Sequence, residues 1–208
     1  SLTGGTVAAS RSCAIALVLR APIPGTHTFS IPAGAVSSTA GVSGVEVTAE
    51  VSVLARPSTS MSFEPQTINA GDTATLRILL SNPNDVPIGI SFFNPYPAGL
   101  VNASDPATTT GCGGTVYGSA GEAFFGFDDG TIQPNGECVV TVQVTPTASG
   151  TFVNELPREG IYSQQAGNAD APATATLTVL GVPIPTASEY ALIAMALALA
   201  LAAWRALR

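Results

Sequence analysis

The stretch GECVVTVQVTPTASGTFVNELP, residues 136–157, decides the fold class because its apolar and polar side chains alternate. One set comprises Cys138, Val140, Val142 and Val144, and the other comprises Val139, Thr141, Gln143 and Thr145. A two-residue period places the two sets on opposite faces of a β-strand. One buried and one wet face is typical of an antiparallel sheet. We therefore predict an antiparallel sheet with the valine face in the core.

Two other segments show the same alternation. Their apolar positions are Leu76, Ile78 and Leu80 in one, and Ala173, Ala175, Leu177 and Val179 in the other. Turn-forming residues separate the segments, as in Asn82-Pro83-Asn84-Asp85, Asp128-Asp129-Gly130 and Pro134-Asn135-Gly136. About seven short strands at this spacing predict an all-β domain, a β-sandwich of immunoglobulin-like type.

The sequence also repeats itself. GTVAASRSCAIALVLRAPIPGTHTFSIP, residues 5–32, aligns with GTIQPNGECVVTVQVTPTASGTFVNELP, residues 130–157, at an offset of 125. After a one-residue insertion, the match continues through Val53-Leu54 and Val179-Leu180. So long a period indicates tandem whole domains and not a solenoid. We predict that residues 1–55 are the C-terminal part of a truncated sandwich repeat and that residues 56–180 are a complete one.

Composition argues against most catalytic and nucleic-acid chemistry. The 208 residues carry a net charge of −7, and all seven basic residues are arginine. A nucleic-acid partner would require a basic patch, and a lysine-based site is unavailable. His27 is the only histidine, and it aligns with Phe152 of the other copy. We expect no enzyme, no catalytic residue and no cofactor.

Two further sets of side chains leave alternatives open. Oxygen ligands for calcium are available on Asn82, Asn84, Asp85, Asp128 and Asp129, but these residue types also favour turns, and we predict no metal site. Most of the aromatic content is Phe92, Phe93, Tyr96, Phe124, Phe125 and Phe127. These rings fill the core or, if several are exposed on one face, form a platform for carbohydrate.

The three cysteines are Cys13, Cys112 and Cys138. In an exported protein they are disulfide candidates. The internal repeat aligns Cys13 with Cys138, which predicts a bond between Cys112 and Cys138 within the complete copy. It also places the partner of Cys13 upstream of Ser1. The alternative is that Cys112 and Cys138 are two buried thiols.

The C-terminal segment GVPIPTASEYALIAMALALALAAWRALR, residues 181–208, contains an uncharged run from Tyr190 to Trp204. A helix of that length spans about 22 Å, against about 30 Å of bilayer hydrocarbon. We predict a single transmembrane α-helix over residues 190–204. Arg205 and Arg208 would stop transfer on the cytoplasmic side and leave the preceding chain outside. A permanent anchor and a buried core helix are the alternatives to a processed signal.

This tail resembles the IPTL-CTERM variant of the exosortase-type, PEP-CTERM-like sorting signals. The resemblance is carried by Ile184, Pro185, Thr186, Ser188, Glu189 and Tyr190, followed by the apolar run and the terminal arginines. Membership implies that an exosortase-like membrane transpeptidase recognises the motif and processes the tail. It also implies localisation to the bacterial cell envelope or extracellular surface.

The stretch SFEPQTINAGDTATLRILLSNPNDVPIG, residues 62–89, with GCGGTV, residues 111–116, resembles the DUF11-type repeats of bacterial surface proteins. Those repeats are immunoglobulin-like modules, commonly in tandem. The resemblance implies a non-catalytic structural or adhesive stalk, attached to the membrane through its tail. The alternative function is a module that binds glycan or exopolysaccharide, and exposure of Phe92, Phe93 and Tyr96 distinguishes the two.

Overall fold

A computed structural model describes residues 3–181 and 193–199. The chain divides into two compact units, Ser1–Arg56 and Pro57–Arg208. Across the described residues strands predominate, so the prediction of an all-β protein is confirmed.

The first unit contains two antiparallel pairs. Strands β1 (Gly25–Ile31) and β4 (Val47–Val53) pair with Gly25 opposite Val53, and the short strands β2 (Ser37–Ser38) and β3 (Gly41–Val42) pair between them in sequence. In the longer pair Ile31, Val47 and Val51 are exposed, whereas Phe29 and Val53 are half-buried.

The second unit holds thirteen described strands and a 3-10 helix, Arg158–Gly160. The strands are β5 (Ser58–Glu64), β6 (Thr67–Asn69), β7 (Ala74–Ser81), β8 (Ile88–Pro95), β9 (Leu100–Asn102), β10 (Thr109–Thr110), β11 (Thr115–Tyr117), β12 (Phe124–Ile132), β13 (Glu137–Pro146), β14 (Gly150–Leu156), β15 (Ile161–Ser163), β16 (Gly167–Asn168) and β17 (Ala173–Leu180).

These strands form three sheets packed as a sandwich. The first has the order β10-β13-β7-β5, with β9 also paired to β13, and the second has the order β11-β12-β8-β15-β16. The third has the order β14-β17-β6, in which only β6 and β17 run parallel. Strand β17 packs beside β5, and β14 packs beside β8.

The alternation predicted from sequence sets the core. In β7 and β13, the side chains of Leu76, Ile78, Leu80, Val140, Val142 and Val144 are fully buried. In β17, Leu177 is fully buried and its alternate neighbours nearly so. Because each buried aliphatic side chain contributes about 1.5–3 kcal/mol relative to exposure, this shared face is a main source of stability.

One predicted turn is wrong. Asp128-Asp129-Gly130 lies inside β12 and not between strands. The pairing of β12 with β8 shifts between Phe127 and Gly130, so the segment is a β-bulge. Asp129 adopts a left-handed backbone with φ of 58°. The residues that favour tight turns also tolerate this conformation, which explains why the sequence signal misled.

A disulfide bond joins Cys112 and Cys138, with Cα atoms 5.2 Å apart. It is the bond predicted from the internal repeat. It fastens the loop between β10 and β11 to the start of β13. The Cys112 carbonyl also accepts a hydrogen bond from Thr131 N–H at 2.9 Å, so the same loop is held to β12.

The structure describes only part of the C-terminal tail. Residues 193–199 are helical. Within the described residues, no helix combines the length and apolar character that membrane crossing requires. The remainder of the helix predicted over 190–204, the six sorting-motif residues, Arg205 and Arg208 lie outside the described residues.

Candidate binding face

Three aromatic side chains lie together on the outer face of the sheet β11-β12-β8-β15-β16. We call Phe93, Tyr117 and Phe124 the aromatic strip. Phe93 is 45% exposed and Tyr117 37% exposed. The ring centroids of Phe93 and Phe124 are 5.3 Å apart, and those of Tyr117 and Phe124 are 6.5 Å apart. These spacings fall within the range of interacting aromatic pairs.

Strand register and one glycine place these rings. Tyr117 lies opposite Gly126, which lies opposite Phe93, so the three residues form one row across β11, β12 and β8. Phe124 precedes Gly126 by two residues and therefore shares its face. A Cβ atom at Gly126 would collide with the outer end of the Tyr117 ring. The glycine thus lets Tyr117 lie down on the sheet beside Phe124.

The other predicted platform residues point the opposite way. Phe92, Phe125 and Phe127 are buried, with the Phe92 ring centroid 5.8 Å from that of Phe125 and 5.5 Å from that of Phe127. Tyr96 is also buried, and its hydroxyl donates a hydrogen bond to Asn102 Oδ1 at 2.8 Å. Burial raises the pKa of Tyr96. The six aromatic residues are therefore divided between core and surface.

A groove adjoins the aromatic strip on the same face. Because of the bulge, Asp128 and Asp129 both lie opposite Ser91, and Asp129 N–H donates to Ser91 Oγ at 3.3 Å. Tyr162 pairs with Ser91 from the other side. We call this space the polar groove; it is an open depression of about 430 Å³, lined by Gly89, Ile90, Ser91, Asp129, Gly130, Thr131, Tyr162, Gln164 and Gln165. That volume is within the range of roughly 300–1,000 Å³ for small-ligand sites.

The face is acidic. Asp128 and Asp129 are exposed, and none of the residues lining the polar groove is basic. Burial and the nearby Asp128 carboxylate raise the pKa of Tyr117, so its hydroxyl stays protonated to higher pH than that of an ordinary tyrosine. The groove therefore combines a carboxylate acceptor with hydroxyl and amide groups, beside rings that present apolar surface.

Of the candidate calcium ligands, Asn82 and Asn84 bond to each other after β7, whereas Asp128 and Asp129 lie on β12. Asn82 is buried, and its Nδ2 donates to the carbonyls of Val86, Ile132 and Gln133 at 2.8, 3.2 and 3.1 Å. Its Oδ1 accepts from both N–H groups of Asn84, at 3.0 and 2.9 Å. Asn82 therefore organises the loop after β7. In the described part of the chain, no group of three or more His, Cys, Asp or Glu side chains is arranged to hold a metal ion.

His27 lies in β1 of the first unit, half-buried, with Nε2 2.8 Å from the Ile23 carbonyl oxygen. Sequence reasoning missed Tyr117, which lies beside Phe124, and Tyr162, which lines the polar groove. The available signal was Gly126 between Phe125 and Phe127, since a glycine inside a strand often marks a close approach by another group.

A family model described as a domain of unknown function, DUF7933, matches residues 57–179. The chain belongs to the DUF7933 family. The matched residues coincide with the described sandwich of the second unit. The DUF11-type resemblance is not confirmed; the family that matches these residues is DUF7933.

A second model, the IPTL-CTERM motif, matches residues 182–208. The resemblance of the tail to that sorting signal is therefore confirmed. A C-terminal sorting signal of this kind makes the DUF7933 protein an exported protein of the cell envelope.

Several solved structures resemble this chain at low similarity. A cohesin module from a Clostridium perfringens ATCC13124 family 33 glycoside hydrolase is 11% identical, with a TM-score of 0.45 over 62% of this chain and 99% of that one. A putative membrane anchored protein from Corynebacterium diphtheriae is 11% identical, with a TM-score of 0.44 over 78% and 46%. These likenesses are too weak to carry a functional inference. No curated protein matches the chain.

Proposed function

We propose that this DUF7933 protein is a non-catalytic structural or adhesive protein of the bacterial cell envelope, delivered there by an exosortase-type signal. The observation that carries the proposal is the order of parts along the chain. A disulfide-bonded β-sandwich ends with β17 at Leu180, and the IPTL-CTERM motif begins at residue 182. A stable module placed directly before a sorting tail is typical of a protein that is delivered to the cell surface.

The first unit supports a stalk of repeated modules. Its β1–β4 register, with Gly25 opposite Val53, corresponds to that of β14–β17, with Gly150 opposite Val179. The correspondence holds to the other end of the pair, where Ile31 faces Val47 as Leu156 faces Ala173. The repeat seen in sequence is thus a repeat of strand pairing.

Burial differs between the two copies. Val47 and Val51 are exposed in β4, whereas the corresponding Ala173 and Leu177 are buried in β17. In the complete copy this face is covered by the rest of the sandwich. We therefore assign residues 1–55 to the C-terminal part of a tandem, immunoglobulin-like repeat, because such an apolar strand face is stable only when covered.

The tail acts, in this proposal, as a transient membrane anchor. The apolar helix enters the bilayer with Arg205 and Arg208 on the cytoplasmic side, and the processing transpeptidase recognises the motif at Ile184, Pro185 and Thr186. Support comes from the run of 15 uncharged residues, which is short for a permanent span. After processing, the ectodomain would remain at the envelope surface.

A second candidate function is the binding of glycan or exopolysaccharide. It is favoured by the solvent exposure of Phe93 beside Phe124 and Tyr117, since apolar rings that lie together on an exposed face are typical of binding surfaces. The two candidates are compatible, because an adhesive surface protein needs a ligand.

Expression of the full chain in its host tests the first proposal. Intact mass and surface labelling should show a product at the cell surface that lacks Trp204 and Arg208. Replacing Ile184, Pro185 and Thr186 by alanine should abolish processing, whereas Leu180→Ala, at an exposed position before the motif, serves as the matched control. A mature product that retains Arg208 refutes processing, and a product that stays in the cytoplasm refutes the envelope assignment.

A further inference from the structure

We propose that the outer face of the sheet β11-β12-β8-β15-β16 binds an uncharged, pyranose-based polysaccharide chain across the aromatic strip and the polar groove. The assignment rests on the second candidate function and deepens it by naming the site and the chemical class of the ligand.

The aromatic strip supplies the stacking surface. Pyranose rings carry apolar faces of C–H groups, which pack against the negative face of an aromatic ring. Phe93 and Phe124 have no polar tip that would favour solvent, yet Phe93 is 45% exposed and Phe124 is only half-buried. Gly126 lets Tyr117 lie against the sheet, so the three rings form one continuous surface.

The polar groove supplies the hydrogen-bonding groups. Along β8, the outward residues Phe93, Ser91 and Gly89 are two positions apart, so successive rows are about 7 Å apart. The Ser91 row includes Asp129 and Tyr162. In the Gly89 row, Gln165 Oε1 accepts the Gly89 N–H at 3.0 Å, which holds that side chain over the sheet. Carboxylate, hydroxyl and amide groups of this kind pair with sugar hydroxyls.

The length of the site favours a chain over a single sugar. Three rows span about 14 Å along β8, from the aromatic strip to Gln165. A single pyranose ring would use only one row. A polysaccharide chain laid along β8 would stack one unit on Phe93 and Phe124 and place the next against Asp129 and Tyr162.

Charge decides between classes of polysaccharide. Asp128 and Asp129 are exposed at the junction of strip and groove, and the residues that line the groove include no cation. The whole chain carries a net charge of −7. A uronic-acid or sulfated polymer would meet like charge without compensation, which disfavours its binding. The face therefore fits an uncharged polymer.

The test is affinity electrophoresis of the full chain, purified in detergent, in gels that contain barley β-glucan, galactomannan, dextran, chitosan or polygalacturonate. We expect retardation by at least one of the three uncharged polysaccharides and none by polygalacturonate. The double variant F93A/F124A should weaken binding about tenfold, because two stacking contacts are lost. Phe93→Tyr should retain binding. Val153→Ala, at an exposed apolar position on β14, is the matched control.

Unchanged mobility in all three uncharged polymers overturns the proposal, as does binding to polygalacturonate or chitosan alone. Equal retardation of F93A/F124A and the wild type, with the melting temperature of each recorded, overturns the assignment of the strip. Association between protein molecules that F93A/F124A abolishes, without polysaccharide binding, shows that the face serves a protein partner instead. Surface labelling of F93A/F124A in the host separates the two proposals: normal delivery with lost binding leaves the envelope function intact.

Discussion

Removing the Cys112–Cys138 bond should destabilise the second unit strongly. The bond links residues 26 positions apart, and both side chains are buried. In the chain-entropy model a loop of this length is worth about 12 cal/mol/K, or about 3.5 kcal/mol at 25 °C. The unfolding entropy of a domain of about 125 residues is near 0.26 kcal/mol/K. We therefore expect C112A/C138A to lower the melting temperature by about 13 °C.

Differential scanning calorimetry under non-reducing conditions measures this shift in the full chain. Reduction of the wild type with dithiothreitol should reproduce the transition of C112A/C138A. Cys13→Ala is the matched control, since Cys13 is an exposed free thiol and its removal should leave the transition unchanged. A shift below about 4 °C in the double variant would show that hydrogen bonds hold the β10–β11 loop without the bond. An equal shift in Cys13→Ala would refute the pairing.

Three other substitutions test the hydrogen-bonding and packing arguments. Asn82→Ala should lower the free energy of unfolding by about 3 kcal/mol in guanidinium titrations, because the buried Ile132 carbonyl and the part-buried Val86 and Gln133 carbonyls lose their donor; a loss under 1 kcal/mol would contradict this. Tyr96→Phe removes the 2.8 Å bond to Asn102 and should cost about 1 kcal/mol at pH 7. Because burial raises the pKa of Tyr96, the stability that the Tyr96 hydroxyl contributes is fully present below about pH 10 and is lost as the pH rises further. The difference between wild type and Tyr96→Phe should therefore narrow above about pH 10, and parallel pH profiles would refute the burial argument. Gly126→Val should displace the Tyr117 ring into solvent and return the pKa of Tyr117 towards its usual value in an NMR titration, and an unchanged pKa would contradict the contact.

The strands and their buried faces could be predicted from local sequence. Alternation in a strand is a property of backbone geometry, so Val140 and Val142 point to the same side whatever the strand pairs with. Turns with asparagine and proline after β7 were likewise predicted, because those residues favour bends through their own backbone restrictions. A repeat with its cysteines aligned was enough to predict the disulfide pairing.

The binding face could not be predicted in the same way. Alternation separates Phe92 from Phe93 but does not say which of them faces solvent, since that depends on what covers each side of the sheet. The bulge at Asp128 and Asp129 shifts the alternation of inward and outward side chains midway along β12. The same residue types also form tight turns, so the local sequence does not distinguish a bulge from a turn.

The sequence by itself determined that this is an exported, all-β protein with a sandwich-like domain and a sorting tail, because periodicity, composition and motif are properties of neighbouring residues. Only the tertiary structure brought Tyr117 onto Gly126 and beside Phe124, and joined the aromatic strip to the polar groove through Ser91. The physical reason is that register between β11, β12, β8 and β15 is fixed by the packing of their inner faces. The outer face is a consequence of that core.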